Sequence, residues 1–104
     1  MNRVGLSATL LEREPLRYTP AGVPIVALKL AHRSTQPEAG AQRTVELEIA
    51  AIAADRIALR VDRLPMGATL TVQGFLAPRR RNARALVLHL TDVEPDPNPP
   101  VSSS

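Results

Sequence analysis

Four arginines within seven residues, Arg79, Arg80, Arg81 and Arg84 in the run from Pro78 to Arg84, form the densest cluster of chemically capable side chains in the sequence. A guanidinium is a planar fork that fits phosphate oxygens in pairs and stacks on a base, so this run points to an anionic polymer as partner. Twelve of the 13 basic residues are arginine and the remaining one is Lys29. Arginine bias from a GC-rich coding sequence explains the number equally well, as the 15 alanines also suggest, so position has to carry the argument. Arg33 and Arg43 bracket a polar segment, and Arg17 stands beside Tyr18 in another.

Catalytic and metal chemistry finds few candidates. The chain has no cysteine, which removes thiolate ligands, thiol nucleophiles and disulfides together and fits a reducing compartment. His32 and His89 stand on separate predicted strands, with no His-Glu-x-x-His spacing and no glycine-rich phosphate loop. No enzyme activity, no metal and no cofactor are expected. His89 lies among leucines and reads as a structural or surface histidine. His32 next to Arg33 reads as solvated or as a polar contact to nucleic acid. Glu46 and Glu48 resemble a carboxylate pair, but strand alternation explains them as a solvated face.

The elements that must position these residues follow from periodicity. Residues 3–11 alternate until Leu10-Leu11 and predict a first strand; residues 13–22, with Pro15, Pro20 and Gly22, predict a connecting loop in which Gly22 fits the last position of a turn begun by Pro20. Residues 23–32 predict a second strand with Ile25, Ala27, Lys29 and Ala31 on one side and Val26, Leu28 and Leu30 on the other. Residues 33–43 predict an exposed hairpin loop. Residues 44–49 predict a third strand with Val45, Leu47 and Ile49 inward, and the alanine-rich stretch 50–64 predicts a helix stopped by Pro65 and Gly67. Residues 68–77 and 84–93 predict two more strands, joined by a hairpin whose tip is the arginine run.

Three strands, a helix and two strands is the element order of an all-β OB-fold, a five-stranded Greek-key barrel with one helix between strands 3 and 4, whose strands 2 and 3 and loops 1–2 and 4–5 bind oligonucleotides. An SH3-like barrel or a split α+β sheet shares that order. Gly74 fits a sharp bend in a barrel strand. At 104 residues there is room for one core, assigned to residues 1–94, while residues 95–104, with four prolines, predict a disordered Pro/Ser-rich tail. No apolar run reaches the ~20 residues that span a bilayer, and the first twelve residues lack a signal peptide's apolar stretch, so a cytoplasmic protein without membrane contact is expected.

Four strings together resemble the primosomal replication protein N family (PriB): Leu16-Arg17 through Thr19-Pro20-Ala21-Gly22-Val23-Pro24, His32-Arg33-Ser34 through Glu38-Ala39-Gly40, Val72-Gln73-Gly74-Phe75-Leu76, and Leu86-Val87-Leu88-His89. The resemblance implies an OB-fold homodimer, related to bacterial single-stranded DNA-binding protein. Its implied partners are single-stranded DNA, a restart helicase (PriA) and further primosome proteins. It assigns nucleic-acid binding to Arg79, Arg80, Arg81 and Arg84 of the 4–5 loop and to Arg33 and Arg43 flanking the 2–3 loop; Arg17 and Tyr18 join them from loop 1–2. Members of the family carry base-stacking aromatics near the positions of Ala41 and Glu46, whereas Tyr18 and Phe75 are the whole aromatic complement of this chain. Binding is therefore expected to be more electrostatic. A genome-coating single-stranded DNA-binding protein is the alternative, although that family closes on an acidic tip ending in Phe and this sequence closes Pro-Pro-Val-Ser-Ser-Ser. A protein-interaction OB module whose arginine loop docks an acidic surface is the other.

Overall fold

The computed structural model describes residues 1–96. It contains β1 (Val4–Arg13), β2 (Arg17–Tyr18), β3 (Pro24–Glu38), β4 (Ala41–Ala54), α1 (Arg56–Asp62), β5 (Thr69–Pro78) and β6 (Leu86–Pro95). The strands lie in the order β1-β5-β6-β4-β3-β2, and an additional pairing of β1 with β3 closes five of them into a barrel. β4 and β6 run parallel and the other pairs antiparallel, which is the expected OB-fold. The two-residue β2, inside the expected connecting loop, pairs Arg17 with Ile25 and Tyr18 with Pro24. The turn that follows is the expected one, with the Gly22 amide donating to the Thr19 carbonyl at 2.8 Å and Gly22 at φ 86°.

Closure rests on β1. Its residues Val4 to Thr9 pair with β5, and Thr9 to Arg13 pair with β3, with the register shifting between Leu10 and Glu12. The period-2 pattern of the sequence breaks at the same place. The bulge takes up Leu11 as the extra residue, so that Leu10 stays buried while Leu11 and Glu12 are both exposed and Glu12 comes to lie opposite Lys29. The interior is filled by alternate residues of each strand, among them Leu10, Val26, Leu28, Leu30, Leu70, Val72, Leu88 and Val93.

Three expectations are corrected. The segment 33–43 is not a loop: the β3–β4 ladder continues from Ser34 opposite Val45 to Glu38 opposite Ala41, and only Ala39 and Gly40, both at positive φ (51° and 79°), make the turn. This arm projects past the barrel with neither face covered, so its sequence carries no burial pattern; for the same reason Leu47, expected inward, is 38% exposed. The helix begins at Arg56, not at Ala50. Residues Ala50 to Ala54 complete β4 with Ala51 and Ala53 buried, and runs of alanine satisfy either period. The switch falls on Asp55, a non-glycine residue at φ 61°.

The last strand also runs past the Glu94 boundary. Pro95 pairs with Leu70, and the Asp96 amide donates to the Thr69 carbonyl at 2.9 Å. The rest of the expected tail, residues 97–104, lies outside the described residues.

Helix α1 buries Ala58 and Val61 against the barrel and is held at both sides by arginine. The Arg13 guanidinium donates to the Leu64 carbonyl just past the helix and to the Val61 carbonyl, which also accepts from the Leu64 amide, and Arg60 donates to the Val93 carbonyl beside Asp92.

Gly74 sits at the register shift between β5 and β6, where a Cβ would lie 2.2 Å from the His89 carbonyl oxygen. Gly74→Ala is therefore expected to destabilise the fold by about 1–3 kcal/mol in chemical denaturation. Gly5→Ala, with nothing within 4 Å of its Cβ, is expected to be neutral or slightly stabilising. Equal effects of the two changes would remove the close approach as the reason for Gly74.

Candidate nucleic-acid interface

Alternation on β3 puts Ile25, Ala27, Lys29, Ala31 and Arg33 on the outside of the barrel, because Val26, Leu28 and Leu30 occupy the core. Across the ladder these outer residues face Ala54, Ile52, Ala50, Glu48 and Glu46 of β4. The middle of this surface is thus a shallow floor of small and aliphatic side chains. Val87 extends it: the residue is buried, but outside the core cluster.

Arg79 is where the loops meet this floor. It borders one cleft together with Glu12, Lys29, Ala27, Ala50 and Val87, and a second with Glu14, Pro15, Leu16 and Arg17. The same arginine, with Arg80, Arg81, Asn82 and Ala83, overhangs Ala50 and Val87 in a third. Loop 1–2, the β5–β6 loop and the outer face of β3 and β4 therefore form one continuous concave pole. Among the described residues, Arg17, Arg79, Arg80 and Arg81 border these clefts and take part in no salt bridge, which leaves four guanidinium groups with free forks around the pole; Arg84 is equally free of salt bridges but is not among the residues that border the clefts. Tyr18, next to Arg17 on β2, is 62% exposed.

Arg33 and Arg43 are placed differently from expectation. Both lie on the arm, and the ladder pairs Arg33 with Glu46 and Arg43 with Gln36, which puts the two arginines on opposite faces. Each is engaged by a carboxylate, Arg33 by Glu46 at 3.3 Å and Arg43 by Glu38 at 2.9 Å. Neither arginine borders the clefts that Arg79 shares.

The histidines have structural partners. His32 Nδ1 donates to the Ser7 carbonyl at 2.7 Å, which in the neutral ring leaves Nε2 to accept from the Ser34 hydroxyl at 2.8 Å. The ring ties β1 to β3 where the two strands diverge, and is not the solvated side chain expected. His89 lies parallel to Phe75 with ring centroids 5.0 Å apart, so one face of Phe75 is already covered. The residue missed by the sequence reading is Lys29. Its outward position was visible in the alternation of β3, but its proximity to Arg79 depends on barrel closure.

A family model described as another single-strand binding protein family matches residues 2–92. The replication restart protein PriB of Bordetella pertussis is 47% identical over 90 residues, which cover 86% of this chain and 84% of the relative. The chain belongs to the PriB family. The PriB protein of Nitrosomonas europaea is 42% identical over 91 residues, covering 88% of this chain and 84% of that protein. The crystallographic PriB fold of Ralstonia solanacearum superposes with a TM-score of 0.83 at 45% identity, covering 91% of this chain and 97% of the other. The wild-type single-stranded DNA binding protein of Thermus aquaticus superposes at 0.74 with 27% identity over 92% of this chain and 50% of that one. The expected resemblance and barrel are thereby established. No helix among the described residues is long and apolar enough to cross a membrane.

Because the loop arginines hold no structural partner, replacing Arg79, Arg80, Arg81 and Arg84 together by alanine is expected to leave the fold intact, with each change contributing within about 0.5 kcal/mol. Urea unfolding checks this. A loss of several kcal/mol would assign the loop arginines to the support of β5 and β6.

Proposed function

We propose that the chain binds single-stranded DNA across the pole formed by Arg17, Tyr18, Lys29 and the β5–β6 loop and presents it to the restart helicase (PriA). The observation that carries this reading is the sharing of Arg79 by the clefts of both loops and of the outer sheet. Free guanidinium groups around a floor too small and smooth to read base edges suit a backbone-tracking mode. Phosphates neutralised there release condensed counterions, and base sequence matters little. The names of the PriB relatives support placement in replication restart, and work on that process belongs in the cytoplasm. The chain acts by binding and not by catalysis. Further primosome proteins would join through the helicase complex.

With about four phosphate contacts and ~0.7 per contact for single strands, log K against log salt is expected to fall with a slope near 3 in an anisotropy titration with the helicase absent. The quadruple arginine variant should lose most of that slope. A slope near zero, or an unchanged affinity in the folded variant, would remove DNA from this pole and favour an interaction module that docks an acidic protein surface.

A homodimer is part of the same proposal. Residues Val4 to Ala8 of β1 pair with β5 alone, so their other edge has no strand beside it, although the Ser7 carbonyl there accepts from His32. A second copy can cover that edge and double the length of DNA tracked. Light scattering is expected to give twice the 11.2 kDa of the chain, both for the full chain and for one ending at Asp96. A monomer at micromolar concentration would overturn the dimer, and a dimer lost on truncation would give the tail a role.

A further inference from the structure

The cations of the outer sheet face differ from those of the loops in one respect. Lys29 is paired with Glu12 at 3.2 Å and Arg33 with Glu46 at 3.3 Å, whereas the loop arginines form no salt bridge among the described residues. Both pairs lie on the face that continues from the Arg79 cleft out along the arm. Moving outward along β3 in steps of two residues, that face presents Lys29 with Glu12, then Ala31 opposite Glu48, then Arg33 opposite Glu46. Two cations there meet three carboxylates, and the charge that attracts a polyanion ends where the loops end.

From this we infer that Glu12 and Glu46 act as built-in competitors of DNA phosphate, which weaken the hold of Lys29 on a strand lying at the pole, keep that strand off the arm and set its affinity. The inference rests on the proposed DNA binding at that pole. A carboxylate oxygen offers a guanidinium or ammonium group the same charge-assisted bond as a phosphate oxygen does. A phosphate reaching Lys29 or Arg33 must therefore displace an anion that is tethered to a neighbouring strand. The pairs are side-chain exposed, at 44% and 66% for Lys29 and Glu12 and at 76% and 64% for Arg33 and Glu46, so the competition is graded and does not block the surface.

The arm contains its own control. Glu38 pairs with Arg43 on the opposite face of the ladder, so Glu38→Gln changes net charge without freeing a cation on the proposed path. The experiment is a titration of a fluorescent oligothymidine against the full chain, with wild type, E12Q/E46Q and E38Q compared over a range of salt concentrations. With ~0.7 of salt slope per freed cation, E12Q/E46Q is expected to steepen the slope by about 1.4 and to tighten binding about 25-fold at 0.1 M salt. E38Q is expected to stay within about 2-fold of wild type. Adding Arg33→Gln should cost little in wild type but remove much of the gain in E12Q/E46Q, a non-additivity that a general charge effect would not produce. Wild-type binding with E12Q/E46Q unchanged, or shifted no more than E38Q, would overturn the competition alone. Absence of binding by wild type and variants alike would overturn the DNA-binding reading and this inference with it.

Discussion

Everything in this fold depends on β1 serving two neighbours. A five-stranded sheet closes only if one strand hands over from one partner to another along its length, and the bulge at Leu11 makes that change of direction possible. The handover keeps Leu10 in the core and brings Arg13 across to the carbonyls at the end of α1, so the bulge also fixes the helix that seals the barrel. The corresponding constraint on the other side is Gly74, where β5 and β6 approach so closely that no side chain fits. Both devices sit where a sheet must turn sharply, and neither contributes a group to the outer surface.

Closure in turn makes the interface. Loop 1–2 and the β5–β6 loop are more than sixty residues apart in the chain, yet Arg17 and Arg79 border one cleft because the pairings of Arg13 with Leu28, Leu28 with Ala51, Ala51 with Leu88 and Leu88 with Leu76 carry the end of β1 round the barrel to the end of β5. The floor between them is formed by outer residues of β3 and β4, whose inner neighbours are fixed by core packing. Small side chains at Ala27 and Ala50 keep that floor low enough for a polymer to lie across it.

The distribution of charge divides this surface more finely than its shape does. A net charge of +3 is modest, and four free guanidinium groups at one pole account for more than the whole of it. On the outer sheet face and the arm, Lys29, Arg33 and Arg43 are each held by a carboxylate across the ladder, an arrangement that costs little in stability because exposed pairs are weak. What such pairs change is the competition for an external anion. A polar arm with matched charges is also a poor template for edge-to-edge association, since its exposed strands carry no apolar face.

The sequence alone determined the element order, the turn at Gly22, the two alternating sides of residues 23–32, and the arginine tip, because each is a local matter of periodicity or backbone conformation; which of those sides faces the core was decided by closure of the barrel. The break at Leu10-Leu11 was legible too, though only as a lapse in alternation. The length of the β3–β4 arm and the start of α1 depended on tertiary structure. An arm exposed on both faces imposes no hydrophobic pattern, and Ala50 to Ala54 satisfies a strand or a helix equally until a neighbour is present to pair with it. Site residues divide along the same line. The loop arginines announced themselves by density, whereas the pairing of Arg33 with Glu46, the opposite facing of Arg43, and the joining of Lys29 to Arg79 are matters of cross-strand register and barrel closure, which bring together side chains that no sequence spacing relates.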